Sequence, residues 1–187
     1  MRFRFDEKKA SQAACLLLNR HGGSMNYMAM IKLLYLADRA ALLHCGQPIT
    51  GDRLVSMPHG PVLSMVLDFI NSGSTQAGSA WTEAISPPSN YEVRVLEDPG
   101  LDELSQFEIG VIEQVDQDYG HFDPWALVKL THQLPEWHDP EGSSIPISPE
   151  EILRCEGKSA EAIERIAKDA EELWFFDRLT ESSRDAG

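Results

Sequence analysis

The chain has 187 residues, 42% of them hydrophobic and 25% charged, with a formal net charge of −14. That length suits one domain whose core needs no metal or disulfide to fold. No apolar run reaches the roughly 18 residues needed to cross a bilayer. Cys15, Cys45 and Cys155 are odd in number and far apart, and read as buried thiols in a reducing cytoplasm. The opening stretch MRFRFDEKKA is basic and then charged with no apolar segment, so no secretory signal is read and the expected location is the cytoplasm.

Charge is distributed unevenly. Residues 1–91 hold 8 Lys/Arg against 6 Asp/Glu, a balance of +2, and residues 92–187 hold 8 against 24, a balance of −16. Such a half repels nucleic acid and attracts basic surfaces, and it also serves as ordinary solvated surface.

Taken in chain order, a first helix is predicted from Asp6, an N-cap residue, with Ala10, Ala13, Ala14, Leu17 and Leu18 on one face and His21-Gly22-Gly23 as its stop. Ser24 or Asn26 caps a second helix to about His44. Its apolar residues cover most of the circumference, the pattern of a central buried helix. Residues 53–57 read as a short strand. Pro58-His59-Gly60-Pro61 follows, with Pro61 placed in the first turn of a third helix to about Ile70, where its missing N–H costs nothing. Residues 71–90 read as a loop, and 91–96 as a strand and the natural partner of 53–57.

A fourth helix is predicted over 105–119 with Phe107, Val111, Ile112 and Val115 inward, and a fifth from Asp123-Pro124 to about His132, with Trp125 read as core. Residues 135–147 form a loop around Trp137. Ser148-Pro149-Glu150-Glu151 opens a short helix ending at Gly157. Ser159 caps a last helix to about Leu179, with 182–187 frayed. The fold class is therefore mainly α, a compact helical domain with a small antiparallel β-sheet. Residues 1–158 are taken as the domain and 159–187 as a C-terminal acidic helix on or beyond it.

No constellation has catalytic spacing. His121, Asp123, His132, His138 and Asp139 cluster without a metal-ligand signature and are read as helix caps and backbone partners. Asp52, Ser56 and His59 lie near one another without a nucleophile elbow. Neither cofactor nor metal is expected, nor an enzymatic activity, nor direct nucleic-acid or membrane binding. The turn Pro58-His59-Gly60-Pro61-Val62 is the most distinctive local feature. It either sets the angle between a strand and a helix, or offers the helix's free N–H groups to a partner's carboxylate beside His59. Trp137, in a polar loop, fits core and binding surface equally.

The segments KLLYLADRAALL (32–43) and GQPITGDRLVSMPHGPVLSMVLDFI (46–70) resemble the Panacea domain, also called the SocA-like antitoxin domain. Lys32, Leu33, Tyr35, Gly46, Pro48, Gly60, Pro61 and Val62 carry the likeness. LVKLTHQLPEWHD (127–139) adds a weaker match, and together the likeness spans roughly residues 5–160. The resemblance implies an antitoxin that binds and neutralises a cognate protein toxin. Alternatively it implies an adaptor delivering a partner to a ClpXP-type protease, as one founding member of the family does, or a phage- or mobile-element-linked interaction module. The expected partner surface comprises Asp52, Arg53, His59, Gly60, Pro61, Val62 and Trp137. Glu164, Glu171 and Glu172 on the last helix are expected to face a basic toxin surface.

Overall fold

The computed structural model describes residues 1–72 and 78–184, with side chains described through Phe176. The expected fraying of 182–187 therefore falls partly outside the described residues, and helix continues through Arg184. The chain begins with α1 (Glu7–Arg20), β1 (Ser24–Asn26) and α2 (Tyr27–Cys45). Asp6 caps α1 by accepting from the Lys9 amide at 3.0 Å. Asn26 ends β1 and caps α2, accepting from the Met28 and Ala29 amides at 2.9 and 3.3 Å. Gly46, at φ +82°, closes α2 in the left-handed conformation that a residue with a Cβ resists. As expected, α2 is buried almost all round: Met30, Leu33, Leu34, Ala37, Ala41 and Leu42 are all core.

Four polar side chains of α2 are drawn into that core, or to its edge, and each finds a partner far along the chain. Lys32 Nζ donates to the Pro61 carbonyl at 2.8 Å. Asp38 accepts from the Ile49 and Thr50 amides at 3.1 and 3.0 Å and from the Thr50 hydroxyl at 2.5 Å. Tyr35 Oη donates to Glu136 at 2.9 Å, and Arg39 grips the same carboxylate through Nε at 2.7 Å and Nη2 at 3.1 Å. A second acceptor for Arg39 Nη2 is Glu156, at 2.5 Å. Arg39 and Glu136 form a charge pair, whereas Lys32 and Asp38 rely on hydrogen bonds to backbone and hydroxyl groups, and burial pushes both toward their neutral forms.

Next come β2 (Leu54–Met57), β3 (Gly60–Leu63), α3 (Ser64–Ser72), α4 (Ala80–Ala84) and β4 (Glu92–Arg94). They are followed by α5 (Gln106–Tyr119), α6 (Pro124–Thr131), β5 (Ile145–Ile147), α7 (Pro149–Cys155) and α8 (Ala160–Arg184). Two antiparallel sheets replace the single one expected: β1 pairs with β4, and β2 lies between β3 and β5. The expected pairing of 53–57 with 91–96 is overturned because β2 turns straight back on itself. Met57 opposes Gly60, and Gly60 at φ +89° supplies the left-handed residue that tight hairpins demand after a turn. Pro61 is tolerated because β3 is an edge strand. The predicted third helix consequently starts at Ser64, not at Pro61.

Other departures have simple causes. Within the expected loop 71–90, a capping box between Ser79 and Thr82 starts α4. This buries Trp81, which stacks on Phe69 at 5.6 Å. Phe107 and Trp125 were expected inward but are 43% and 57% exposed, because α5 spends its inward face on Ile112 and Val115 and α6 on Leu127, Val128 and Thr131. Cys15 is buried as expected, whereas Cys45 and Cys155 are exposed thiols near helix ends.

Removing the Glu136 carboxylate should strand Tyr35 Oη and loosen Arg39 together. Glu136→Ala is expected to cost about 3 kcal/mol of stability in urea unfolding. Glu136→Gln, which still accepts from both donors, should cost clearly less.

Candidate functional site

The tip of the β2–β3 hairpin rests on α2 and on the end of α6. Beneath it lies Lys32, 1% exposed, with its ammonium on the Pro61 carbonyl and its pKa pushed down to about 7 by burial. Gly60 is pressed against this layer. A Cβ there would stand 2.6 Å from Thr131 Oγ1 and 3.0 Å from Lys32 Nζ, so no other residue fits without displacing one of them. Thr131 cannot turn away freely, because its hydroxyl donates back to the Leu127 carbonyl at 2.9 Å.

On the outer side of the tip, aromatic rings gather. His59 is exposed and meets Trp125 edge-on, with centroids 5.4 Å apart. Trp137 is half-buried, lies flat on His132 at 4.0 Å, and donates from Nε1 to the Met57 carbonyl at 3.1 Å. His132 caps α6, as read from the sequence, and its pKa is lowered by burial and by the nearby Lys32, against the opposing pull of the Pro58 carbonyl. Its Nε2 is buried with no hydrogen-bond partner among the described residues. The pairs His59–Trp125 and His132–Trp137 thus place four aromatic rings around the hairpin tip, one from the hairpin, two from α6 and its C-cap and one from the loop that follows.

The structure distributes the expected partner residues unequally. Arg53 and His59 reach solvent, and Trp137 reaches it in part. Gly60, Pro61 and Val62 are buried as strand residues and offer no side-chain surface. Asp52 is 6% exposed and serves the fold: its carboxylate accepts from the Met65 and Val66 amides at 2.9 and 3.0 Å, capping α3. The expectation of free helix N–H groups beside His59 is therefore corrected, since the helix begins later and the chain's own Asp52 satisfies it. Glu164, Glu171 and Glu172 are exposed on α8, which packs chiefly on α7. Trp125, which the sequence pattern places in the core, is instead 57% exposed, because the inward face of α6 is taken by Leu127, Val128 and Thr131. Its place in the first turn of a helix opened by Asp123-Pro124, two residues before the buried Leu127, was the available signal.

Among the described residues no group of three or more His, Cys, Asp or Glu is placed to hold a metal ion, and no helix is long and apolar enough to cross a membrane. A family model described as antitoxin SocA-like, Panacea domain, matches residues 30–138. That span covers more than half of the chain, which belongs to this family. It runs from the first turn of α2 to His138, and so includes Lys32, the hairpin, Trp125, His132, Glu136 and Trp137. No curated protein and no solved structure matches the chain.

Lys32 gives the hairpin seat a pH signature. Its pKa is about 7 in the folded chain against an ordinary 10.5, so between these values the unfolded chain holds a proton that the folded chain does not. Stability contributed through Lys32 therefore rises with pH over that window, by at most about 1.4 kcal/mol per pH unit. Lys32→Met should remove this slope. Urea unfolding of both proteins at pH 7.0 and 8.5 checks it: the stability of the variant minus that of the parent should fall as the pH rises, whichever of the two is the more stable at pH 7.0.

Proposed function

We propose that the chain is an antitoxin that neutralises a protein toxin by binding it directly, through the aromatic surface at the hairpin tip. Membership of an antitoxin family supports a protein partner. The observation that carries the choice of surface is Trp125, 57% exposed and edge-on to His59. A tryptophan held in water by a capped helix forgoes a large burial gain, and tryptophan is the residue type most enriched among binding hot spots. His59 and the outer edge of Trp137 extend the contact, with Arg53, just before β2, as a further contributor.

The acidic residues have a separate part. Glu164, Glu171 and Glu172 are exposed on one long helix. The toxin they would meet carries a basic surface, as proteins that act on nucleic acids do. Charge of this kind acts mainly on encounter, raising association rates about 10- to 1,000-fold at low salt, whereas single surface pairs add about 0–1 kcal/mol.

Co-expression with the product of the adjacent reading frame, followed by calorimetry on the purified pair, tests the proposal. Trp125→Ala should keep the thermal midpoint and cost about 2 kcal/mol of binding. Wild-type affinity in that variant would remove the hairpin tip from the interface. Replacing the three glutamates by glutamine should slow association and flatten its salt dependence in stopped-flow kinetics, leaving dissociation nearly unchanged.

A further inference from the structure

The aromatic tip occupies only one side of α6. On the other side Leu130 and Leu134 turn toward α5, and together with Leu36 and Leu43 of α2 and Phe107 and Val111 of α5 they line an open groove of about 540 Å³. Residues of α2, of α5 and of the end of α6 contribute to its lining.

Two features of α5 bear on what fills it. The first is Gly110, in the interior of the helix and on the groove. Its φ is not left-handed, and a Cβ there would meet nothing within 4 Å. Neither backbone conformation nor packing within the chain calls for glycine, although glycine in a helix interior costs about 0.5–1 kcal/mol relative to alanine. What the missing side chain provides is room for another backbone to approach.

The second feature is charge. α5 carries Glu108, Glu113, Asp116 and Asp118 and no lysine or arginine. Lys9 engages Glu108, and Arg20 engages Glu113 and Asp116. Asp118 stands at the groove with only the Gln114 side-chain amide bonded to it among the described residues, at 3.0 Å. Gln106, Gly110, Gln114 and Asp118 recur every fourth residue and so form one row along the rim, polar at its ends and open at Gly110. Arg39, the cation at the groove, is committed to Glu136 and Glu156.

We infer that the groove receives an amphipathic α-helix of the toxin, apolar on the face that meets Leu36, Val111 and Leu134 and carrying lysine or arginine where it passes Asp118. This rests on the reading of the chain as a toxin-binding antitoxin. The rim row from Gln106 to Asp118 spans about 18 Å, enough for about three turns of the incoming helix. A second copy of this chain is a poorer occupant, because with a net charge of −14 it would bring further negative charge to a rim that already carries Asp118.

The test is Gly110→Leu in the full chain, measured by calorimetry against the toxin encoded beside it. The leucine points into open space, so the thermal midpoint should hold or rise, while toxin binding should weaken at least tenfold. Phe107→Ala and Asp118→Lys should each weaken binding as well, and they decide the matter if Gly110→Leu fails to fold. Wild-type affinity in these groove variants, with Trp125→Ala still impaired, would overturn the groove and leave the antitoxin reading standing. If the unmodified chain neither binds nor neutralises that toxin, both fall. A dimer of the chain in sedimentation that Gly110→Leu disrupts would identify a second copy as occupant and would also overturn the inference.

Discussion

Glu136 is a carboxylate with no exposure at all, and it survives there because Tyr35 and Arg39 reach it from one face of α2. These two residues are four apart, so they stack on adjacent turns, and their shared acceptor is about a hundred residues away in the chain. The pairing clamps the loop after α6 against the central helix. Through the second bond of Arg39 to Glu156 it also reaches the end of α7. Everything the loop carries depends on that clamp, including Trp137, next in sequence to Glu136, and hence the ring that covers the hairpin.

The same helix sets the remaining layers by the same logic. Asp38 captures two amides of the loop after Gly46, and burial pushes its own pKa up to about 7. Lys32 captures the carbonyl of Pro61. An apolar helix could be packed in several rotations at similar cost. One bearing buried Lys32, Asp38 and Tyr35 and a part-buried Arg39 is held to the arrangement in which all of them find partners, which is how polar groups in a core confer uniqueness.

The helices were largely legible in the sequence because their ends carry local chemistry: Asp6, Asn26, Ser105, Asp123 and Ser148 all cap where their side chains suggest. The strands were less so. β1 and β5 have three residues each, too few for alternation to register, and their partners are set by tertiary contacts. Pro61 was ambiguous by nature, since both a helix's first turn and an edge strand forgive its missing N–H. The left-handed Gly60 decided for the hairpin. The buried network was hidden because Glu136 and Asp38 look, in one dimension, like ordinary surface acids. At the site, the special character of the His59 turn was readable. The outward position of Trp125 was not, as it depends on which side of a short helix the core claims.

Gly60 also bears on the thermodynamics of recognition. There is no room for a side chain between Gly60 and the Thr131 and Lys32 groups behind it, so the hairpin tip is seated closely on α6 and α2. A surface locked in this way loses little conformational entropy when something settles on it, so most of the interaction free energy is retained as affinity. Partners differing in fit would then share similar capture rates and be told apart by how long they stay, which makes residence time the quantity on which such a tip selects.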